Sequence, residues 1–146
     1  MKKWQKNSLG ISVVILILVC ASIVSIHNVM KDFCTNSLIE EIISPDKKYK
    51  TIIFLRDCGT TTTAVSTQAS IIPISNSLPK GSGNLFILDT DHGKAPASKY
   101  GGPTIKAVWE NNKMLIIEYH DKARVSKAVN QFNDITITYR ISLLSG

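Results

Sequence analysis

The chain has 146 residues, with 17 basic against 11 acidic side chains and a formal charge of +6. That length allows one compact domain with a single core. Its lysines and arginines are not clustered with interleaved aromatics, which excludes a nucleic-acid reader.

Residues 10–26, GISVVILILVCASIVSI, form an unbroken apolar run, and no charged side chain occurs in the 24 residues between Lys6 and Lys31. At ~1.5 Å per residue a helix over that interval is ~36 Å long, enough to cross a hydrocarbon core of ~30 Å. Lys2, Lys3 and Lys6 precede the run without an acidic residue, which predicts that this end stays in the cytoplasm. The expected organisation is a cytoplasmic tip and transmembrane anchor over 1–29, then an extracytoplasmic domain over 30–146. Two rival uses of the run stay open. Cys20 follows Val19, not the glycine or alanine that a lipoprotein peptidase wants. Cleavage after Ala21 is compatible with Val19-Cys20-Ala21, whereas Ile23, Val24 and Ile26 prolong the run as a retained helix would. Outside the anchor, 14 basic side chains face 11 acidic ones, so the pI of 9.3 overstates the basicity of the exported part.

Beyond the anchor the apolar period becomes two, with turn signals every eight to twelve residues. This predicts an all-β domain, a single antiparallel sheet or sandwich of about seven or eight short strands. Leu38–Ser44 and Tyr49–Asp57 flank a turn centred on Pro45 and Asp46. Within the second of these, Ile52, Ile53, Phe54 and Leu55 are continuously apolar, as in a central strand covered on both faces. Val65–Ser75 follows, with Pro73 pointing to an edge or a bulge. The loop NSLPKGSGN leads into Leu85–Thr90, and DHGKAPASKYGG leads into Thr104–Glu110. Asn111-Asn112 turns into Met114–His120. Residues Ala123–Asp134 read equally as a bulged strand or a short helix. Ile135–Ile141 alternates cleanly, with Ile135, Ile137, Tyr139 and Ile141 on one face.

Cys34 and Cys58 are the thiols beyond the anchor, and an oxidising compartment favours pairing them. If Lys47 is the left-handed third residue of the turn, Ser44 opposes Lys48 and opposed residue numbers total 92, as do those of Cys34 and Cys58. The two would then be cross-strand neighbours within disulfide reach. A redox-active pair would want Cys-x-x-Cys spacing instead.

Arg56, Asp57, Gly59, Thr60, Thr61 and Thr62 form the most unusual polar segment. Their amides and hydroxyls, at the end of the central strand, offer a site for an anion or a sugar hydroxyl. The plain alternative is a stapled polar turn whose hydroxyls satisfy loose backbone groups. Asp89, Asp91 and His92 are too few for a closed metal site. Lys80-Gly81-Ser82-Gly83 lacks the Gly-Lys-Ser/Thr of a phosphate loop. No catalytic set, metal site or cofactor is assigned.

The strings SPDKKYKTIIFLRDCGTTTT, STQASIIPIS, GNLFI and VWENNKMLIIEYHDKARV resemble a family of small uncharacterised bacterial proteins, exported or membrane-anchored, carrying a domain of unknown function. The resemblance spans roughly 34–142. The family often reads Ser-Pro-Asp-Gly-Lys-Tyr and Cys-Gly-Ala-Thr where this chain has Lys47 and Thr60. A glycine at position 47 suits a left-handed residue, where lysine costs ~1 kcal/mol. The resemblance implies a location at the cell envelope but no reaction. Together these features lead to a membrane-tethered, non-enzymatic β domain binding an envelope protein or a glycan. The rivals are an envelope enzyme using Arg56–Thr62 with His92 or His120, and a structural subunit of a membrane complex.

Overall fold

The computed structural model describes residues 12–25, 34–59 and 65–142. The chain divides into two units, Met1–Phe33 and Cys34–Gly146. In the first, residues 12–25 form an α-helix. At ~1.5 Å per residue it is about 21 Å long, and no helix among the described residues is long and apolar enough to cross a membrane. Both ends of the expected anchor, 10–11 and 26–29, lie outside the described residues. Within the helix the Ser22 hydroxyl donates to Leu18 O (2.7 Å) and that of Ser25 to Ala21 O (2.9 Å).

The second unit is all-β. Its described strands are β1 (Thr35–Ile43), β2 (Tyr49–Asp57), β3 (Val65–Pro73), β4 (Phe86–Asp89), β5 (Ile105–Asn111), β6 (Met114–Tyr119), β7 (Arg124–Ala128), β8 (Gln131–Phe132) and β9 (Ile135–Ile141). They form two sheets, ordered β1-β2-β3-β4-β7 and β5-β6-β9-β8. Ile53, Ala69, Ile71, Phe86 and Leu88 of the first sheet share one core with Ile105, Ala107, Leu115, Ile117, Ile135 and Ile137 of the second. Alternation along β5 and β9 puts those residues inward and Lys106, Thr136 and Thr138 outward. Phe86 stacks obliquely on Tyr119 and Tyr139, with ring centroids 5.1 and 4.9 Å away. The Tyr139 hydroxyl donates to Val129 O at 2.7 Å, and burial pushes this phenol up to about 12.

Two expectations change. The ambiguous segment 123–134 is neither one bulged strand nor a helix. Its first half, β7, joins the first sheet beside β4, and its second half, β8, joins the second beside β9. The chain thus crosses between sheets at Val129-Asn130, and β9 comes to lie parallel to β6. The second sheet is therefore mixed rather than antiparallel. Between β5 and β6 the turn occupies Asn112-Lys113, because Asn111 already pairs with Met114.

β2 lies between β1 and β3, and Ile52, Ile53 and Phe54 are fully buried. Ile53 faces the shared core, whereas Ile52 and Phe54 cluster with Ile72 and Leu78 on the opposite face. Residues 74–83 provide that second cover as a strap. Its far end is closely pinned. Asn84 Oδ1 accepts the Ile71 amide (2.9 Å) while its Nδ2 donates to Ile71 O (2.8 Å), so a side-chain amide extends the β3–β4 ladder. At Gly83 the backbone passes so near Ala69 O that a Cβ would stand 2.8 Å from it, and the Gly83 amide donates to Gln68 Oε1 at 2.6 Å.

The disulfide Cys34–Cys58 is present, with Cα atoms 4.0 Å apart. Its register arises differently from the sequence expectation. Lys47 is left-handed, with φ 58°, but the Ser44 amide donates to Tyr49 O, not to Lys48. Near the turn the pairs are Ile43↔Lys50 and Glu40↔Ile53; a bulge at Ile39 then shifts the ladder to Leu38↔Phe54 and Thr35↔Asp57. One extra residue in the turn is offset by one extra residue in β1. On the chain-entropy account the bridge contributes about 3 kcal/mol. Denaturant unfolding of the full chain carrying Cys34→Ala and Cys58→Ala should show a loss of about that size. Alkylation without reductant should label Cys20 alone; labelling at Cys34 or Cys58 would remove the staple.

Candidate functional site

The polar segment predicted from sequence begins with Arg56, and its guanidinium is turned inward on the strap side. Arg56 is 7% exposed, and its Nη1 donates to Asn36 Oδ1 (2.8 Å) and Lys80 O (3.0 Å). Asn36 in turn donates through Nδ2 to Pro79 O (2.6 Å) and Gly81 O (2.8 Å). The glycine-rich stretch Lys80–Gly83 is thus the clamped end of the strap. Asp57 is exposed and accepts the Gly59 amide at 2.9 Å, with Gly59 at φ 64°. Thr60, Thr61 and Thr62 lie outside the described residues.

The histidines considered as partners for that segment have local attachments. His120 Nδ1 accepts the Lys122 amide at 3.1 Å and lies 2.9 Å from Asp121 Oδ1. His92 is exposed and lies 3.5 Å from Asp91 Oδ1. Neither comes within ion-pair distance of Asp57. Asp91 and His92, with Gly93, make three consecutive left-handed residues. Their cost is offset by Asp89 Oδ1 and Thr90 Oγ1, which accept the amides of Asp91 and Gly93. Lys94 Nζ donates to Asp91 Oδ2 at 2.6 Å and holds that carboxyl below the usual range. Arg124 pairs with Asp89 at 2.7 Å. The charges of these loops are therefore mutually compensated. Among the described residues no group of three or more His, Cys, Asp or Glu side chains is placed to hold a metal ion.

A different feature has the form of a site. The seam between the two sheets is held at Ile42, whose carbonyl accepts the Trp109 indole N–H at 3.2 Å. Further along, a groove of about 410 Å³ opens between β1 and the segment 98–105. Ile39 is half-buried at its base, with Ile53, Pro103 and Ile105 buried behind it; its rim carries Glu40, Lys99, Tyr100 and Thr104. Both flanks are built locally. On one side the bulge turns Ile39 onto the core while Glu40 stays exposed. On the other, the Ser98 amide donates to Gly102 O (2.8 Å) and the Gly101 amide to Ser98 O (2.9 Å). Gly101 has φ 99°, and a side chain at Gly102 would collide with Thr67 Oγ1. That hydroxyl donates to Pro103 O at 2.7 Å, fixing the loop to β3. Lys99 Nζ lies 5.0 Å from the centroid of the Tyr100 ring, which is 44% exposed.

Sequence reading did not assemble this groove, because its parts are scattered over 39–40, 53, 67 and 98–105. Two signals were available. Leu38-Ile39-Glu40-Glu41-Ile42-Ile43 repeats in doublets, which a regular strand cannot place on two faces. Tyr100 sits beside Gly101-Gly102-Pro103, a turn sequence that holds an aromatic at the surface. No protein-family model matches the chain, and neither a curated protein nor a solved structure matches it.

Arg56 is expected to act on stability. Arg56→Ala leaves Asn36 Oδ1 and Lys80 O without this donor and should cost about 2 kcal/mol, measured as a lowered urea midpoint with faster proteolysis in the strap. An unchanged midpoint would release Arg56 from this role and return it to the ligand-binding loop.

Proposed function

We propose that the chain is a membrane-anchored, extracytoplasmic β domain acting as a binding module at the bacterial cell envelope, with the groove between β1 and 98–105 as its ligand site. The groove carries the reading. It combines an apolar floor with a few polar groups at the rim, in the size range of small-molecule sites, roughly 300–1,000 Å³. Its walls are fixed before any ligand arrives, by the bulge on one side and the Thr67–Pro103 bond on the other, so little ordering cost opposes binding.

For the anchor, support comes from the uncharged interval between Lys6 and Lys31 and the three lysines before it. The back-bonded hydroxyls of Ser22 and Ser25 suit lipid, where an unpaired donor is expensive. The resemblance to exported bacterial proteins points the same way. The apolar surface favours a ligand with an apolar body over a glycan, whose hydroxyls would lose water against Ile39 and the Tyr100 ring without replacement.

Two measurements test these halves separately. A reporter active only outside the cytoplasm, fused after Gly146, should give signal; activity of a cytoplasm-only reporter there would overturn the topology. For the groove, cyclohexanol titrated into the isotope-labelled full chain in detergent micelles should shift the amide resonances of 39–40 and 98–105. Thr104→Phe, which fills the groove from its rim, should abolish those shifts while preserving the circular dichroism spectrum. Scattered or absent shifts in the unaltered chain would remove the groove as a site.

A further inference from the structure

The rim of the groove carries a carboxylate that has no ion-pair partner among the described residues. Eight of the ten acidic residues among the described positions lie within ion-pair distance of a basic or histidine side chain. The two without such a partner among the described residues are Asp57, whose carboxylate accepts the Gly59 amide, and Glu40, which lines the groove. Lys99 lines the same groove and, like Lys47, Lys80, Lys122 and Lys127, has no described carboxylate within ion-pair distance; it is the one of these that faces the groove. Its Nζ lies over the Tyr100 ring. One anion and one cation therefore flank a single apolar floor, neither satisfied by the described part of the domain.

The shape of β1 narrows what can occupy the groove. An extended peptide adding to the β1 edge would need a regular ladder, and the bulge at Ile39 interrupts it beside the groove. Edge bulges are a common device against such strand addition. A compact ligand that inserts an apolar body and presents its charges at the mouth is not hindered by the bulge.

Resting on the groove as the ligand site, we propose that its ligand is a small hydrophobic zwitterion, an apolar amino acid or dipeptide. Its ammonium meets the Glu40 carboxylate, its carboxylate meets Lys99 Nζ, and its side chain lies on Ile39. Tyr100 covers the ligand edge at the mouth. The charge complementarity is two-sided, so a ligand missing either charge leaves one rim group desolvated and unpaired.

The test uses the full chain in detergent micelles, with amide shifts of 39–40 and 98–105 followed against four probes. These are L-phenylalanine, L-leucyl-L-leucine, N-acetyl-L-leucine, which lacks the cation, and L-leucinamide, which lacks the anion. The two zwitterions should bind at least about tenfold tighter than the two singly charged analogues, the size of one charge-assisted hydrogen bond. The tighter zwitterion identifies whether the source is a free amino acid or a peptide. Glu40→Gln should erase the advantage of L-phenylalanine over N-acetyl-L-leucine, and Lys99→Gln its advantage over L-leucinamide. Both side chains are at the surface, and the analogue series on the unaltered chain needs no variant. If cyclohexanol binds but zwitterions bind no tighter than the analogues, the ligand class is wrong and the groove stands. If neither cyclohexanol nor the zwitterions bind, both readings fall.

Discussion

Burying both faces of β2 is the constraint on which the remainder of the domain depends. Ile52, Ile53 and Phe54 are consecutive and fully buried, so alternate side chains need apolar cover on opposite sides. Each is worth roughly 1.5–3 kcal/mol when removed from water. The second sheet covers the side of Ile53. On the other side the described residues form no third layer, and the strap over 74–83 covers it, bringing Leu78 onto Ile52 and Phe54. A strap without strand partners carries backbone carbonyls that must be satisfied. Arg56 and Asn36 do this for Pro79, Lys80 and Gly81, and Lys127 Nζ donates to Gly83 O at 3.0 Å. The polar residues of the outer face are thus fasteners for an apolar cover.

That requirement separates what was legible in the sequence from what was not. The block Ile52–Leu55 carries its own message, since no single-sided strand tolerates it. β9 was equally plain, its alternation being unbroken from Ile135 to Ile141. Arg56 is the opposite case. Its neighbours in sequence, Asp57 and the threonines, suggest an anion-binding loop, but its partners Asn36 and Lys80 are 20 and 24 residues away. Local composition cannot distinguish an arginine that waits for a ligand from one that fastens a strap. The direction of β9 was illegible for a related reason. It depends on which sheet captures Arg124–Ala128, and that is decided by the free edge of β4, not by anything within 124–128.

The disulfide shows how a correct pairing can follow from an incorrect ladder. The turn between β1 and β2 contains one residue more than its Ser-Pro-Asp-Lys sequence implies, and β1 contains one residue more than its partner. Either change alone would move Cys34 one position along β2 and turn its side chain to the other face. Together they restore the register. The bulge was visible in the doublets of Leu38–Ile43, whereas the turn length was not, because Lys47 is left-handed in both versions.

The same bulge determines where the sandwich stays open. A two-sheet sandwich has two seams. On one, the chain itself crosses from β7 to β8, and the backbone between them is tied at Val129, whose amide donates to Leu85 O and whose carbonyl accepts the Tyr139 hydroxyl. On the other, the chain enters β5 from β4 through 90–104, tied by Thr67 to Pro103 O, and the Trp109 indole donates to Ile42 O of β1. Beyond that point β1 bends at Ile39 while the 98–102 turn, held off by Gly102 against Thr67, stands on the opposite side. The gap leaves Ile39, Ile53 and Ile105 lining a cleft in a domain that elsewhere spends a ten-residue strap on covering apolar surface. Ile39 and the Tyr100 ring are the open apolar surface of that cleft, and the Glu40 and Lys99 charges beside them give recognition there a chemistry.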